Sequence, residues 1–148
     1  MDAIVDQALV VNPNLAEAWR IRGWISIFLG QHEAAALQFQ RAMRLNPLDP
    51  EINKSEFGMA QANFLLHRFE IAFSWASKSL ARQKSYALVE LYAMASLAML
   101  GRVADAQAKL RASGITLTIS RVRKRIPLQR QQDVDLLIEA YRLAGMLE

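Results

Sequence analysis

The chain has 148 residues, of which more than half are apolar, so it is long enough for one domain with a substantial core. It contains no cysteine, which excludes disulfide scaffolds, cysteine-ligated zinc and thiol nucleophiles, and which fits a reducing cytoplasm. The net charge of +4 is modest, and the longest apolar run falls far short of the ~20 residues that a membrane-spanning helix needs. We therefore predict a cytoplasmic chain without a membrane span.

Residues recur along the chain with a period of about 34 positions, which is typical of helix-turn-helix repeats that stack into a solenoid. The pair Asn12-Pro13 returns as Asn46-Pro47, and Ala35 returns as Ala72 and Ala106. Glycine and proline are scarce, whereas alanine and leucine are abundant, and this composition favours helix. The pattern predicts an all-α fold.

Residues 1–15 match only the second half of a repeat. The partner helix that would come before residues 2–11 is missing, and a second helix alone leaves one apolar face uncovered. We expect either that the chain is a fragment of a longer protein or that another molecule covers this face. A second copy of the chain, bound through residues 1–15, is one such molecule.

Residues 16–49 form the clearest repeat. Gly23 and Ala35 are small, so they allow the two helices of the repeat to approach closely, and Trp19 and Phe39 are expected to fill the space beside the crossing. Gly30 is expected to end the first helix, because glycine adopts a left-handed C-cap at little cost.

This repeat resembles the tetratricopeptide repeat, whose pattern has a tryptophan, a Leu-Gly pair, an aromatic residue, Ala-x3-Phe and a proline. The resemblance implies a right-handed alpha-alpha superhelix that binds other proteins. Arg22 replaces the leucine of that pattern, and Ser26 replaces its aromatic residue. The matching positions are Trp19, Arg22-Gly23, Ser26, Ala35-x3-Phe39 and Pro47.

Two further repeats follow an apparent insertion at residues 50–52, namely residues 53–86 and residues 87–114. Lys84 stands where the first repeat has its proline, so the second helix of that repeat has a weaker stop signal. Gly114 is expected to end a short second helix in the third repeat. The residues expected to pack or end the repeat helices are Trp19, Gly23, Ala35, Phe39, Pro47, Ala60, Ala72, Gly101 and Ala106.

Residues 115–148 depart from the repeat pattern. Apolar and polar residues alternate from Ile115 to Ser120, which is not a helical pattern. Residues 131–143 are predicted to form a helix with one apolar stripe, because the apolar side chains recur at helical spacing. Such a helix suits the terminal cap that a solenoid needs. The stripe contains Val134, Leu137, Ile138 and Tyr141.

The tail carries a second, narrower resemblance. Residues 118–128 and 141–148, together with residues 47–60, look like the C-terminal tetratricopeptide region of certain bacterial multidomain proteins. Those proteins carry a class III adenylate cyclase domain, or sometimes a winged helix, ahead of the repeats. Leu147 departs from the proline of that family's usual ending. The resemblance implies a role in cyclic AMP signalling, with the catalytic chemistry located outside this chain.

No residue pattern in the sequence points to chemistry. His32 and His67 fall at predicted turns about one repeat apart, and we expect both at the surface. Zinc-binding, phosphate-binding and nucleophile motifs are missing. Asp133 and Asp135 lie two positions apart on a helix, so their carboxylates do not face one another. We therefore predict no catalytic residue, no metal and no cofactor.

A binding groove is predicted on the first helices of the repeats, which line the concave face in solenoids of this kind. Several large apolar side chains fall there, with Lys54 and Leu88 beside them, and contiguous exposed apolar area marks contact sites. Some of them, Phe64 and Leu91 first, can equally belong to the core. The predicted groove residues are Arg20, Trp24, Ile27, Phe28, Phe57, Gln61, Phe64 and Leu91.

These observations favour a non-catalytic interaction module that binds a protein, a peptide or an upstream domain of the same polypeptide. The bulky groove side chains argue against the polar carboxylate clamp of chaperone-binding repeats and favour an apolar or amphipathic helix. The alternative is a freestanding scaffold that self-associates through residues 1–15. Nucleic-acid binding through the basic residues between Arg121 and Arg130 is less favoured, because no aromatic side chain lies among them.

Overall fold

A computed structural model describes residues 2–83 and 86–148, and every regular element in these residues is an α-helix, as predicted. No helix in the described part of the chain combines the length and the hydrophobicity needed to cross a bilayer. The weak stop predicted at Lys84 lies outside the described residues. The helices are α1 (Asp2–Val11), α2 (Ala16–Leu29), α3 (His32–Leu45), α4 (Ile52–Leu65), α5 (Phe69–Arg82), α6 (Ala87–Met99), α7 (Val103–Ser113), α8 (Ile119–Arg123) and α9 (Gln131–Leu143).

Successive helices from α2 to α7 pack against one another in chain order, and the alternate helices α2, α4 and α6 also touch. Gly30 ends α2 in the left-handed conformation, with φ of 84°, and its N–H donates to the Ile27 carbonyl at 3.1 Å. Gly101 adopts the same conformation between α6 and α7, whereas His67 occupies it between α4 and α5 with φ of 62°. The left-handed conformation costs a non-glycine residue about 1–2 kcal/mol in free energy.

Small residues let the helices approach closely. Ala35, Ala60, Ala72 and Ala106 are completely buried, as their predicted packing role requires. Phe39 is also completely buried, and its ring lies against both Gly23 of α2 and Gly58 of α4. A Cβ atom on Gly23 would lie 2.7 Å from this ring, and one on Gly58 would lie 2.4 Å from it. One phenylalanine thus fixes three successive helices together.

Trp19 and Pro47 lie towards the ends of the two helices of the first repeat. Trp19 is half-buried, and its indole N–H donates to the Pro13 carbonyl at 2.8 Å, so it fastens the α1–α2 turn. Arg41 of α3 lies over its ring, 5.3 Å from the ring centroid, so Trp19 also contacts the second helix of its repeat. Pro47 is exposed and follows the end of α3, where its ring prevents the helix from continuing.

Six aromatic rings form a chain of contacts through the core, from α3 to α5. Neighbouring centroids lie 4.8–5.7 Å apart, and most pairs are edge-to-face, a geometry worth about 0.5–1.5 kcal/mol per pair beyond area burial. The interface between repeats is therefore largely aromatic. In order of contact the rings belong to Phe39, Trp24, Phe57, Tyr92, Phe64 and Phe69.

Glu56 of α4 is almost completely buried and pairs with Arg82 of α5, with 2.7 Å between Nε and Oε1. Burial raises the pKa of the Glu56 carboxyl, and the charges of Arg82 and Lys78 partly offset that rise. Removing Arg82, whose side chain is half exposed, would leave the buried Glu56 carboxylate with only Lys78 at 3.9 Å, and a buried charge without a close partner is costly. This pair therefore fixes the relative placement of α4 and α5.

The C-terminal segment, residues 115–148, leaves α7 at Gly114, which has φ of 68° and ends an eleven-residue helix as predicted. Residues 115–118 are not helical, in line with the alternating pattern, but Ile119 begins α8 and is buried. The Thr118 side chain caps α8 by accepting from the Arg121 N–H at 3.4 Å. This side-chain cap explains why a helix begins at Ile119 although the alternating pattern continues to Ser120.

Candidate groove between the repeat helices and the C-terminal segment

The C-terminal segment folds back over α2, α4 and α6. The Gln129 N–H donates to the Phe28 carbonyl at 3.0 Å, and the Arg130 guanidinium donates to the Gly30 carbonyl at 3.1 Å. A Cβ atom on Gly30 would lie only 2.0 Å from the Arg130 side chain, so glycine is needed there for space as well as for backbone conformation. Helix α9 then packs on α6. The segment covers part of the face on which the sequence predicts an open groove.

A buried histidine–aspartate pair joins the two parts of the chain. The Nε2 atom of His32, at the start of α3, lies 2.8 Å from Oδ2 of Asp133 in α9, although the two residues are 101 positions apart. Both side chains are buried, and the Arg130 Nε atom lies 3.7 Å from the same carboxylate oxygen. His32 is therefore not the surface residue that its turn position predicts, whereas His67 is exposed as expected.

Four of the predicted groove residues are buried in the core. For Phe64 and Leu91 this is the core position that the sequence left open. For Ile27 and Phe57 it corrects the expected exposure. The cause is the C-terminal segment together with the packing of neighbouring repeats. Phe57 lies among Trp24, Tyr86 and Tyr92, and Phe64 lies between Tyr92 and Phe69. The four residues are Ile27, Phe57, Phe64 and Leu91.

Two other predicted groove residues have structural contacts of their own. Arg20 is buried, donates to Asp49 at 3.1 Å and to the Glu51 carbonyl at 3.2 Å, and also pairs with Glu17. It therefore anchors the α3–α4 connection to α2 and lies outside the groove. Phe28 remains 46% exposed, beside the backbone bond that holds Gln129.

An open groove nevertheless remains between the repeat helices and the C-terminal segment. It consists of two cavities, of about 420 and 180 Å³, that share Gln61, Leu88 and Pro127 as lining residues. The larger cavity is lined also by Trp24 and Phe57, so three of the predicted groove residues meet there. We call these two cavities the groove.

Part of the groove could not be predicted from the repeats, because the C-terminal segment supplies one wall. Leu117, Ile126 and Pro127 line the smaller cavity opposite Leu88 and Leu91 of α6. The sequence predicts residues 115–130 as a connection between the last repeat and a cap, and it indicates a surface role only for the basic residues between Arg121 and Arg130. In the sequence, the burial of this segment against the repeats is indicated only by the apolar residues that flank its basic stretch.

The groove is apolar and weakly basic. Among the described residues that line it, Lys54 and Arg125 are charged and none is acidic. Burial raises the pKa of the Tyr92 hydroxyl and that of the Tyr141 hydroxyl, so neither carries a negative charge at neutral pH. This arrangement can bind an apolar group and attract negative charge.

The basic residues between Arg121 and Arg130 divide into two groups. Arg121, Arg123, Lys124 and Arg125 are exposed on and just after α8, whereas Arg130 is half-buried and bonded to Gly30. The basic residues that are exposed are therefore the first four only. Of these, Arg125 also lines the smaller cavity of the groove.

No group of three or more histidine, aspartate or glutamate side chains in residues 2–83 and 86–148 is arranged to bind a metal ion. The chain matches no protein-family model and no curated protein with which it was compared.

Proposed function

We propose that this chain is a non-catalytic protein–protein interaction module of the tetratricopeptide type. Its three repeats would form a right-handed superhelix, with α9 as the C-terminal cap and the groove as the binding site. The proposal extends to a regulatory role in a bacterial, cytoplasmic signalling protein of the adenylate cyclase type, of which this chain would be the C-terminal region. The partner is a peptide, another subunit or an upstream domain of the same polypeptide.

The observation that carries this proposal is the groove. Large apolar and aromatic side chains of α2, α4 and α6 reach its surface, and Leu88 at its centre is 51% exposed. Aromatic and aliphatic side chains at the centre of a contact site supply most of its binding free energy. The order of helices and the tight alanine contacts support the repeat assignment.

The regulatory role depends on the resemblance in residues 47–60, 118–128 and 141–148. In such a protein, a partner that binds the groove biases a catalytic domain only if its affinity differs between the active and inactive arrangements. The groove wall made by residues 117–127 belongs to the C-terminal segment, which packs on the repeats through buried apolar side chains such as Ile119 and Leu137 and through a few polar contacts. A partner in the groove would therefore contact both parts of the chain.

Selection of binders from a random dodecapeptide library on the full chain tests the interaction function. We expect enriched peptides to lose about tenfold or more in affinity for Leu88→Asp, since a charge there would be desolvated on binding. Leu48→Asp is the matched control, because Leu48 is 90% exposed in the α3–α4 connection. Equal binding to both variants would contradict the groove as the site.

Self-association is a second candidate, because α1 leaves an apolar face exposed. Only Val5 of α1 is buried, whereas Ile4, Val10 and Val11 are 71%, 83% and 81% exposed. Exposed apolar side chains on one short helix favour an isologous contact between two copies. In sedimentation velocity we expect a concentration-dependent dimer that Val11→Asp dissociates; a monomer at all concentrations would exclude this candidate.

A further inference from the structure

The smaller cavity of the groove has the size of one large side chain. Its volume is about 180 Å³, and its walls are formed by Leu91, Tyr92 and Leu137, with Leu88 and Ile126 at the rim. A cavity of about 150 Å³ lined by apolar side chains holds a molecule such as benzene. The cavity therefore fits one leucine, methionine or phenylalanine side chain from a partner.

Basic residues lie at this cavity and next to it in sequence. Among the described residues that line the cavity, Arg125 is the only charged one; Arg121 precedes it by four positions, and Lys124 is adjacent to it in sequence. Within the described residues, no ion pair involves any of these three side chains. All three are exposed, so their charges are available to a partner.

We propose that the groove binds an acidic peptide segment that inserts one large apolar side chain between α6 and residues 117–127 and places carboxylates against Arg121, Lys124 and Arg125. The inference rests on the proposed interaction function and names the chemistry of the partner. Charge complementarity of this kind raises the association rate and selects among partners, while the inserted side chain supplies most of the affinity.

A nucleic acid fits the same surface less well. The basic residues occupy about one turn of helix, so they can contact few phosphates, and no aromatic side chain lies among them to stack on a base. The cavity beside them is walled by leucine, isoleucine and buried tyrosine rings, which offer a base few hydrogen-bonding partners. A peptide with an apolar side chain and neighbouring carboxylates fits both the apolar cavity and the basic residues.

The sequences enriched in the dodecapeptide selection test whether the partner is acidic and apolar. We expect them to combine a leucine, methionine or phenylalanine with several aspartates or glutamates. Their affinity should fall about tenfold for Arg125→Glu at low salt, and much less at high salt, because exposed charges are screened. Arg111→Glu, on the exposed face of α7, is the matched control and should change affinity less than about twofold.

The outcomes separate the two proposals. Enriched peptides that lose binding to Leu88→Asp but lack acidic residues, or that ignore Arg125→Glu, would overturn the acidic partner and leave the interaction function intact. Peptides that bind Leu88→Asp as well as the unaltered chain would overturn both. A fluorescein-labelled 20-nucleotide single-stranded DNA that binds more tightly than the acidic peptides, and that Arg125→Glu releases, would overturn the peptide in favour of a nucleic acid.

Discussion

Replacing Phe39 with alanine should lower the free energy of unfolding by about 3–5 kcal/mol, the usual cost of removing a fully buried phenylalanine ring. The loss should lie near the upper end of that range, because the ring packs directly against the backbone of two glycines in two other helices. A cavity at this position would separate α2, α3 and α4 at once. Urea denaturation followed by circular dichroism at 222 nm measures the change.

The exposed Phe28 offers the matched control. Phe28→Ala removes the same ring from a side chain that is 46% exposed, and we expect a loss of about 1 kcal/mol or less. Similar losses for the two variants would show that Phe39 does not hold the helices together.

A double-mutant cycle makes the test specific to the contact. Gly58→Ala alone should destabilise the protein, because the new Cβ atom would lie 2.4 Å from the Phe39 ring. In the Phe39→Ala background the same substitution should be tolerated, since it places a methyl group in the vacated space. The two effects should therefore be non-additive by more than about 1 kcal/mol. Additive effects of the two substitutions on the free energy of unfolding would contradict a direct contact between Gly58 and the Phe39 ring.

Those parts of the fold that depend on local residue patterns could be predicted from the sequence. Gly30 and Gly114 are examples, because a left-handed helix end depends on only a few consecutive residues. The apolar spacing of residues 131–143 likewise predicts α9 with its observed bounds. Gly58 was missed for a physical reason. In the alignment of the repeats, Ala60 is the position equivalent to Gly23. The Phe39 ring, however, extends to the second repeat and contacts α4 at Gly58, two residues before Ala60.

The groove was harder to predict because its exposure depends on long-range contacts. Spacing along α4 and α6 can place Phe57 and Leu91 on the inner face of a solenoid, but it cannot say that a segment beyond α7 returns to cover that face. Likewise, the predicted apolar stripe of α9 does not include Asp133. Asp133 is buried, and only the three-dimensional position of His32 explains why a carboxylate is tolerated there.

Replacing Asp133 with alanine should cost about 1.5–3 kcal/mol, the range for a hydrogen bond to a charged group, because His32 would lose its acceptor inside the protein. Arg130 would also lose the carboxylate that lies 3.7 Å from its Nε atom, while keeping its bond to Gly30. Asp133→Asn retains an oxygen that can accept from Nε2 of His32, so its loss should be smaller. Asp135→Ala, on the exposed face of α9, is the control.

The effect should also be local, since the pair is among the few polar contacts between the C-terminal segment and the first repeat. Hydrogen exchange measured by mass spectrometry should show faster exchange in residues 131–143 of Asp133→Ala, with α4 little changed, because partial opening requires only the segment to separate. The groove would then lose the wall formed by residues 117–127, and peptides selected on the unaltered chain should bind more weakly. Uniformly faster exchange across α2 to α9 would instead mean that the segment and the repeats unfold as one cooperative unit, which would exclude the segment as a movable wall.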